Sequence, residues 1–160
     1  MILLYYLAYF SVVGSLKENQ AELYLKGREF QNFIERMFPG REFEFTHRAD
    51  LDGSKLPDFH IKDRKTREGF WVEVKYRSRL FNDKFPICNK ERLDSYKAFE
   101  ASQKPEKVFM IFGLGGNAGD PEEIFCLPLD QIEFPDLFRS KFNQGKHDHA
   151  TFRYERGRLY

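Results

Sequence analysis

Cysteine is scarce. The 160-residue chain has two, Cys88 and Cys126, with no CxxC pair and no adjacent histidine. That excludes a disulfide framework and the usual structural-zinc spacings, and it suits a reducing compartment. Net charge is also nearly absent, with 26 basic residues against 25 acidic ones. The global basic excess common among nucleic-acid binders is therefore missing, although Lys and Arg are dense locally at 62–79 and 84–107. No internal repeat or low-complexity tract occurs. The glycine-rich stretch at 113–119 lacks the Lys-Ser/Thr that a phosphate-cradling P-loop requires, so it reads as a plain loop. What the chain has in quantity is aromatic side chains, 17% of residues and 18 of them Phe. Aromatics bury large areas, and this load points to a well-packed core, with most of these Phe inside it.

Residues 1–16 (MILLYYLAYFSVVGSL) carry no charged side chain, and thirteen of the sixteen are apolar. The segment is slightly short for a spanning helix, and no positive n-region marks it as a signal peptide. Lys17, Lys26 and Arg28 follow it. It reads as an apolar helix, either docked on the domain or a partner or contacting a membrane. An anchor of this kind would leave the remainder in the cytoplasm. Cytoplasmic location is the expectation in either case. The second unit, 21–160, is expected to form one domain.

Within it, 21–38 reads as a helix with Leu23, Phe30, Phe33, Ile34, Met37 and Phe38 on one stripe, stopped by Pro39-Gly40. Strands are expected at 42–46, 58–61, 70–76, 107–114 and 123–128. A hairpin signal, Asp52-Gly53, lies between the first two. A second helix spans 90–102, with Leu93, Tyr96, Ala98 and Phe99 apolar. The stretch before it, containing Pro86, reads as irregular, and 129–142 as helical or irregular. A last strand or hairpin falls at 151–160. The continuous apolar run 107–114 suits a strand covered on both faces. The pattern is an α/β domain with a central mixed β-sheet flanked by helices.

The chemistry concentrates in 56–77, LPDFHIKDRKTREGFWVEVKYR. Asp58 opens one strand. Glu73 and Lys75 alternate on the next and share a face, since strand side chains have a period of two. Phe70, Trp71 and Val72 make that strand look buried, where an unpaired carboxylate or ammonium is costly. If the two strands pair, Asp58 and Glu73 come together. A hard divalent cation, Mg²⁺ or Mn²⁺, relieves the repulsion of two such carboxylates, and Lys75 would face the attacking water or the phosphate charge.

The same stretch resembles the PD-(D/E)XK nuclease superfamily, the restriction-endonuclease-like fold. Pro57-Asp58 matches its PD element and Glu73-Val74-Lys75 its ExK element, with fourteen residues between Asp58 and Glu73. The resemblance covers roughly 25–128. It implies a metal-dependent nuclease in which Asp58 and Glu73 hold the metal and Lys75 assists water attack. Many members add a Glu on the first helix; here Gln31 and Glu35 are the two candidates, with Glu35 favoured because it is ionised. Members often carry a Gln four residues before a Tyr on the later helix. Arg92 stands there relative to Tyr96, and both, with Gln31, are candidate substrate-binding residues. The implied partner is nucleic acid, DNA favoured over RNA, and a homodimer is compatible with the reading.

Two alternatives stand beside it. Glu73 and Lys75 would also suit an exposed strand face with cross-strand charge pairs. A catalytically degenerate nuclease-fold domain would only bind nucleic acid or a protein, tethered to a membrane or not. His60, on the face of Asp58, reads as packing or surface, and His147 and His149 as part of a flexible polar loop.

Overall fold

A computed structural model describes the backbone of residues 2–49 and 56–160, and side chains from residue 19 onward. Helix α1 runs unbroken over Ile2–Arg36, so Gly14 and Ser15 do not separate the apolar segment from the helix beyond it. A single interior Gly costs a helix only about 1 kcal/mol. Among the described residues no helix is long and apolar enough to cross a membrane, and the side chains of 1–16 lie outside that set. The Asp52-Gly53 hairpin signal also lies outside the described residues.

Five strands form the central sheet in the order β1 (Phe43–Arg48), β2 (Phe59–Asp63), β3 (Gly69–Arg77), β5 (Val108–Leu114), β6 (Glu123–Pro128), counting a short β4 (Lys84–Pro86) by its place in the chain. β1, β2 and β3 are antiparallel neighbours, β3 and β5 are parallel, and β5 and β6 are antiparallel. The sheet is therefore mixed, as expected. A parallel neighbour requires a crossover, and helix α2 (Lys90–Ser102) lies within it. Asn89 caps α2, its side chain accepting the Arg92 amide N–H at 2.8 Å.

Both faces of the sheet are covered. Phe30, Ile34 and Phe38 of and just beyond α1 pack against Phe59, Phe70, Val72 and Val74 on one side. Leu93 and Tyr96 of α2 pack with Trp71, Val108, Met110 and Phe112 on the other. Each such side chain, fully buried, contributes roughly 1.5–3 kcal/mol. This explains why β3 and β5 read as near-continuous apolar runs. Among the described side chains of α1, those of its last turns take part. Leu23, assigned to the apolar stripe by spacing, is 69% exposed, because the helix has already left the sheet there. Ala98 of α2 likewise faces solvent. The stretch around Pro86, expected to be irregular, contributes β4, which pairs antiparallel with β7 (Asp136–Phe138). Three-residue strands are too short to show a period in sequence. The chain ends in a small hairpin, Tyr154–Glu155 with Arg158–Leu159.

One close approach fixes α1 on the sheet. A Cβ at Gly113 would stand 2.5 Å from Phe30 Cε2, so the ring rests directly on the β5 backbone. Gly113→Ala should therefore destabilise the fold by about 2 kcal/mol, or roughly 5 °C in melting temperature. Thermal unfolding by circular dichroism reads this out; an unchanged midpoint would mean that α1 is not seated on β5.

Candidate active site

The β2–β3 register pairs Phe59 with Val72, and its continuation by one residue brings Asp58 alongside Glu73. The ladder ends at Phe59, which leaves the Val74 N–H without a strand partner. Asp58 takes that place: its Oδ2 accepts the Val74 N–H at 2.8 Å, and its Oδ1 accepts from Gln31 Nε2 at 2.7 Å. Asp58 is thereby held between strand and helix, and it lies within hydrogen-bonding reach of the Glu73 carboxyl.

Glu73 is 2% exposed, and its Oε1 accepts from both the Lys75 ammonium and the Tyr96 hydroxyl. A buried carboxylate is tolerated only when charge-paired and hydrogen-bonded, and here it is both. Burial pushes the Tyr96 phenol up, and the Glu73 charge adds to this, so it remains a donor. For Lys75, burial is the largest single influence and alone would lower the pKa; Glu73 first, with Tyr96 and Asp58, together outweigh it and hold the ammonium above its ordinary value. Arg92 completes the cluster. Its guanidinium lies 4.6 Å from the Tyr96 ring centroid. Asp58 is pushed up to about 7, first by burial and then by the Glu73 charge.

The cluster opens on a groove of about 560 Å³ lined by Lys26, Gln31, Asp58, Lys75 and Arg77 among others. Oxygen donors alone, two carboxylates side by side, suit a hard cation such as Mg²⁺ or Mn²⁺ better than zinc. Among the described residues no group of three or more His, Cys, Asp or Glu forms a ready cage. Mg²⁺ does not need one, since it is typically bound by one or two carboxylates with waters and substrate phosphate completing its shell. The residues present fit such an ion.

No protein-family model matches the sequence, and no curated protein is a significant match to it. Among solved structures, a Holliday junction resolvase from Archaeoglobus fulgidus superposes with a TM-score of 0.54 at 17% identity, over 75% of this chain and 89% of that one. The chain has the restriction-endonuclease-like fold. The central mixed sheet flanked by helices that the sequence predicts is thus the architecture found.

Within this restriction-endonuclease-like frame, Asp58, Glu73, Lys75, Gln31, Tyr96 and Arg92 come together. Glu35 does not join them. One turn beyond Gln31, its carboxylate accepts from Arg48 Nη2 at 2.6 Å at the surface. Tyr96, expected to touch substrate, is buried beneath Glu73 instead. His60 does not join the cluster: further along the same face, its Nε2 lies 2.8 Å from Glu106 Oε2 and its Nδ1 is bonded to the Thr46 hydroxyl. His147 is buried against Phe152, their ring centroids 4.1 Å apart, and so is a packed residue where a flexible loop was expected. Lys26 and Arg77 line the groove without having been singled out in the sequence. Arg77 follows Glu73 and Lys75 at the same period of two, which was the available signal.

The Asp58 shift has a sign that can be tested. Its folded-state pKa lies above the unfolded value of about 3.9, so the metal-free folded protein retains a proton that the unfolded chain releases. This group's contribution to stability is full below about pH 4 and is lost as pH rises to about 7. Asp58→Asn should flatten that slope, leaving the variant at least as stable as wild type at pH 8 without metal. Urea midpoints at pH 5 and pH 8 measure it; equal pH slopes for both proteins would contradict the burial argument.

Proposed function

We propose that the protein is a divalent-metal-dependent nuclease that hydrolyses phosphodiester bonds in nucleic acid, DNA before RNA. The observation that carries this reading is the meeting of the Asp58 and Glu73 carboxyls beside the Lys75 ammonium. Asp58 and Glu73 would hold Mg²⁺ or Mn²⁺. When bound, the cation polarises the phosphoryl group and lowers the pKa of a coordinated water.

The chain's own residues supply the rest. Tyr96 and Lys75 both donate to Glu73 Oε1, so that the carboxylate would keep its other oxygen to hold a cation. Gln31 orients Asp58 through a neutral donor and adds no third negative charge to the pair. Lys75 stays charged and stabilises negative charge developing on the phosphate oxygens, a role that needs a preorganised donor in a partly dry site. Lys26 and Arg77, on the groove wall, attract the phosphate backbone.

Cleavage of plasmid, linear duplex and single-stranded DNA in the presence of Mg²⁺ or Mn²⁺ is the test. Lys75→Ala should lose about 10²–10³-fold in rate, the cost of one preorganised donor. Asp58→Asn and Glu73→Gln should lose at least as much and also abolish the rise in melting temperature that Mn²⁺ gives by linkage. Cleavage that survives both EDTA and Glu73→Gln would defeat the proposal. Glu35→Ala should leave the rate near wild type and Gln31→Ala should not, because Gln31 touches Asp58 and Glu35 is paired with Arg48.

One observation favours a second reading. The first-helix residue that meets Asp58 is a glutamine, so the site has two carboxylates rather than three. A domain that binds nucleic acid or a partner without cutting would take up Mn²⁺ weakly, cleave none of these substrates and be indifferent to Lys75→Ala.

A further inference from the structure

We propose that Phe81, Lys84 and Phe138 form a platform that stacks two unpaired bases of the substrate strand, with Lys84 taking the phosphate between them. The substrate class is then nucleic acid with a single-stranded stretch beside the bond to be cut. The catalytic location rests on the nuclease reading above; the base-binding surface does not.

Most of the chain's Phe side chains are buried, yet Phe81 is 71% exposed and Phe138 57%. Their placement is fixed by backbone. Phe81 and Lys84 exchange both main-chain hydrogen bonds, at 2.9 and 3.0 Å, around a tight turn. Its two central residues, Asn82 and Asp83, have φ of 49° and 59°. Positive φ at both central positions marks a type I′ hairpin turn. Across β4 and β7, Lys84 pairs in turn with Phe138. Directly opposed residues of antiparallel strands stand on the same face, with Cβ atoms about 4.5–5.5 Å apart. Phe81, Lys84 and Phe138 therefore form a row, the outer rings roughly 10 Å apart by the same spacing. The Lys84 ammonium sits 4.6 Å from the Phe138 centroid.

The other face of this small sheet explains its rigidity. Phe85 and Leu137 are buried, and Phe85 packs on Phe112 and Phe142. The outward face is thus bolted to the core, and its exposed rings are not the by-product of a loose loop. Of the acidic residues nearby, Asp83 lies in the exposed turn itself, and Asp136 pairs with Pro86 at the far end, away from Lys84.

Charge and position select the occupant. Lys75, Arg77 and Arg79 stand at alternate positions along the chain from the carboxylate pair towards Phe81. Ser78 lines the groove, and three residues span at most about 10 Å, so the platform adjoins the groove. Aromatic rings alternating with cations are what sequence-tolerant single-strand binding uses: stacking for bases, cations for phosphates. A second copy of the chain fits less well. Two rings and a lysine stem offer a few hundred Å², well below the roughly 800 Å² per partner of a stable interface.

The experiment is binding of a fluorescent oligothymidine and of a blunt duplex to the full chain in EDTA, which blocks cleavage. Phe81→Ala and Phe138→Ala should each weaken oligothymidine binding about tenfold and leave duplex binding within about twofold. Lys84→Ala should reduce the salt dependence by about one phosphate contact. Phe81→Trp should retain affinity, and its fluorescence should be quenched by the oligonucleotide. Melting temperatures and the Mn²⁺-induced shift should match wild type in all four. The proposal is overturned if the Phe81→Ala/Phe138→Ala protein, with a wild-type melting temperature, binds oligothymidine as wild type does. It is also overturned if that variant sediments as a monomer where wild type is a dimer, which would make the patch an interface between copies. Ring-dependent binding without any Mn²⁺ shift or cleavage would instead refute the nuclease reading and leave the platform standing.

Discussion

A carboxylate buried in the central strand is the constraint around which the rest of this molecule is arranged. Glu73 sits on β3 with sheet on both sides and a helix above it, where an unpaired negative charge would be prohibitively expensive. Two donors meet it. Lys75 comes from the same strand two residues on, and Tyr96 from α2. The tyrosine links the charge to the helix, and the Arg92 guanidinium lies over its ring. The packing of α2 on the sheet and the orientation of Glu73 are therefore one arrangement, so that loosening either disturbs the other.

Asp58 is held by a different logic. It lies just beyond the last pair of the β2–β3 ladder, and it accepts from the Val74 N–H, which the ladder leaves without a partner. Gln31 fixes its other oxygen from α1, which Phe30 seats on β5 through the missing side chain of Gly113. The two carboxylates thus come from neighbouring strands of one sheet, and each is held by a helix on an opposite face of it. Their repulsion, added to burial, is relieved by a proton in the metal-free protein, and the proposed cation would relieve it in the same way.

The groove beside the pair and the small β4–β7 sheet extend this local chemistry into a surface. Alternate residues leaving β3 carry positive charge, and the tight turn that follows fixes an exposed ring beside a lysine. A chain with almost no net charge can still present a locally basic face, because many acidic side chains are paired elsewhere. Glu44 lies against Arg64 and Arg67, Glu123 against Arg139 and Glu35 against Arg48. Exposed pairs of this kind add little stability, but they determine which charges face the groove.

Much of this was legible in the amino-acid order. Alternation is a local property, so Glu73, Lys75 and the buried character of β3 could be read from one window, and the apolar run of β5 declared a strand covered on both faces. The spacing of Pro57-Asp58 and Glu73-Val74-Lys75 named the carboxylates that meet. What sequence could not decide was which of two helical residues reaches them. Gln31 and Glu35 lie one turn apart, and helical spacing allows both; the angle at which Phe30 seats α1 on β5 gives Asp58 to Gln31, while Arg48 on β1 takes Glu35. Nor could it place Tyr96 beneath Glu73, or find in the stretch around Pro86 a strand whose partner lies fifty residues on. Local periodicity reports which side of an element is apolar. Which polar groups meet across elements is set by packing angles and long-range strand pairing, and those exist only in the folded chain.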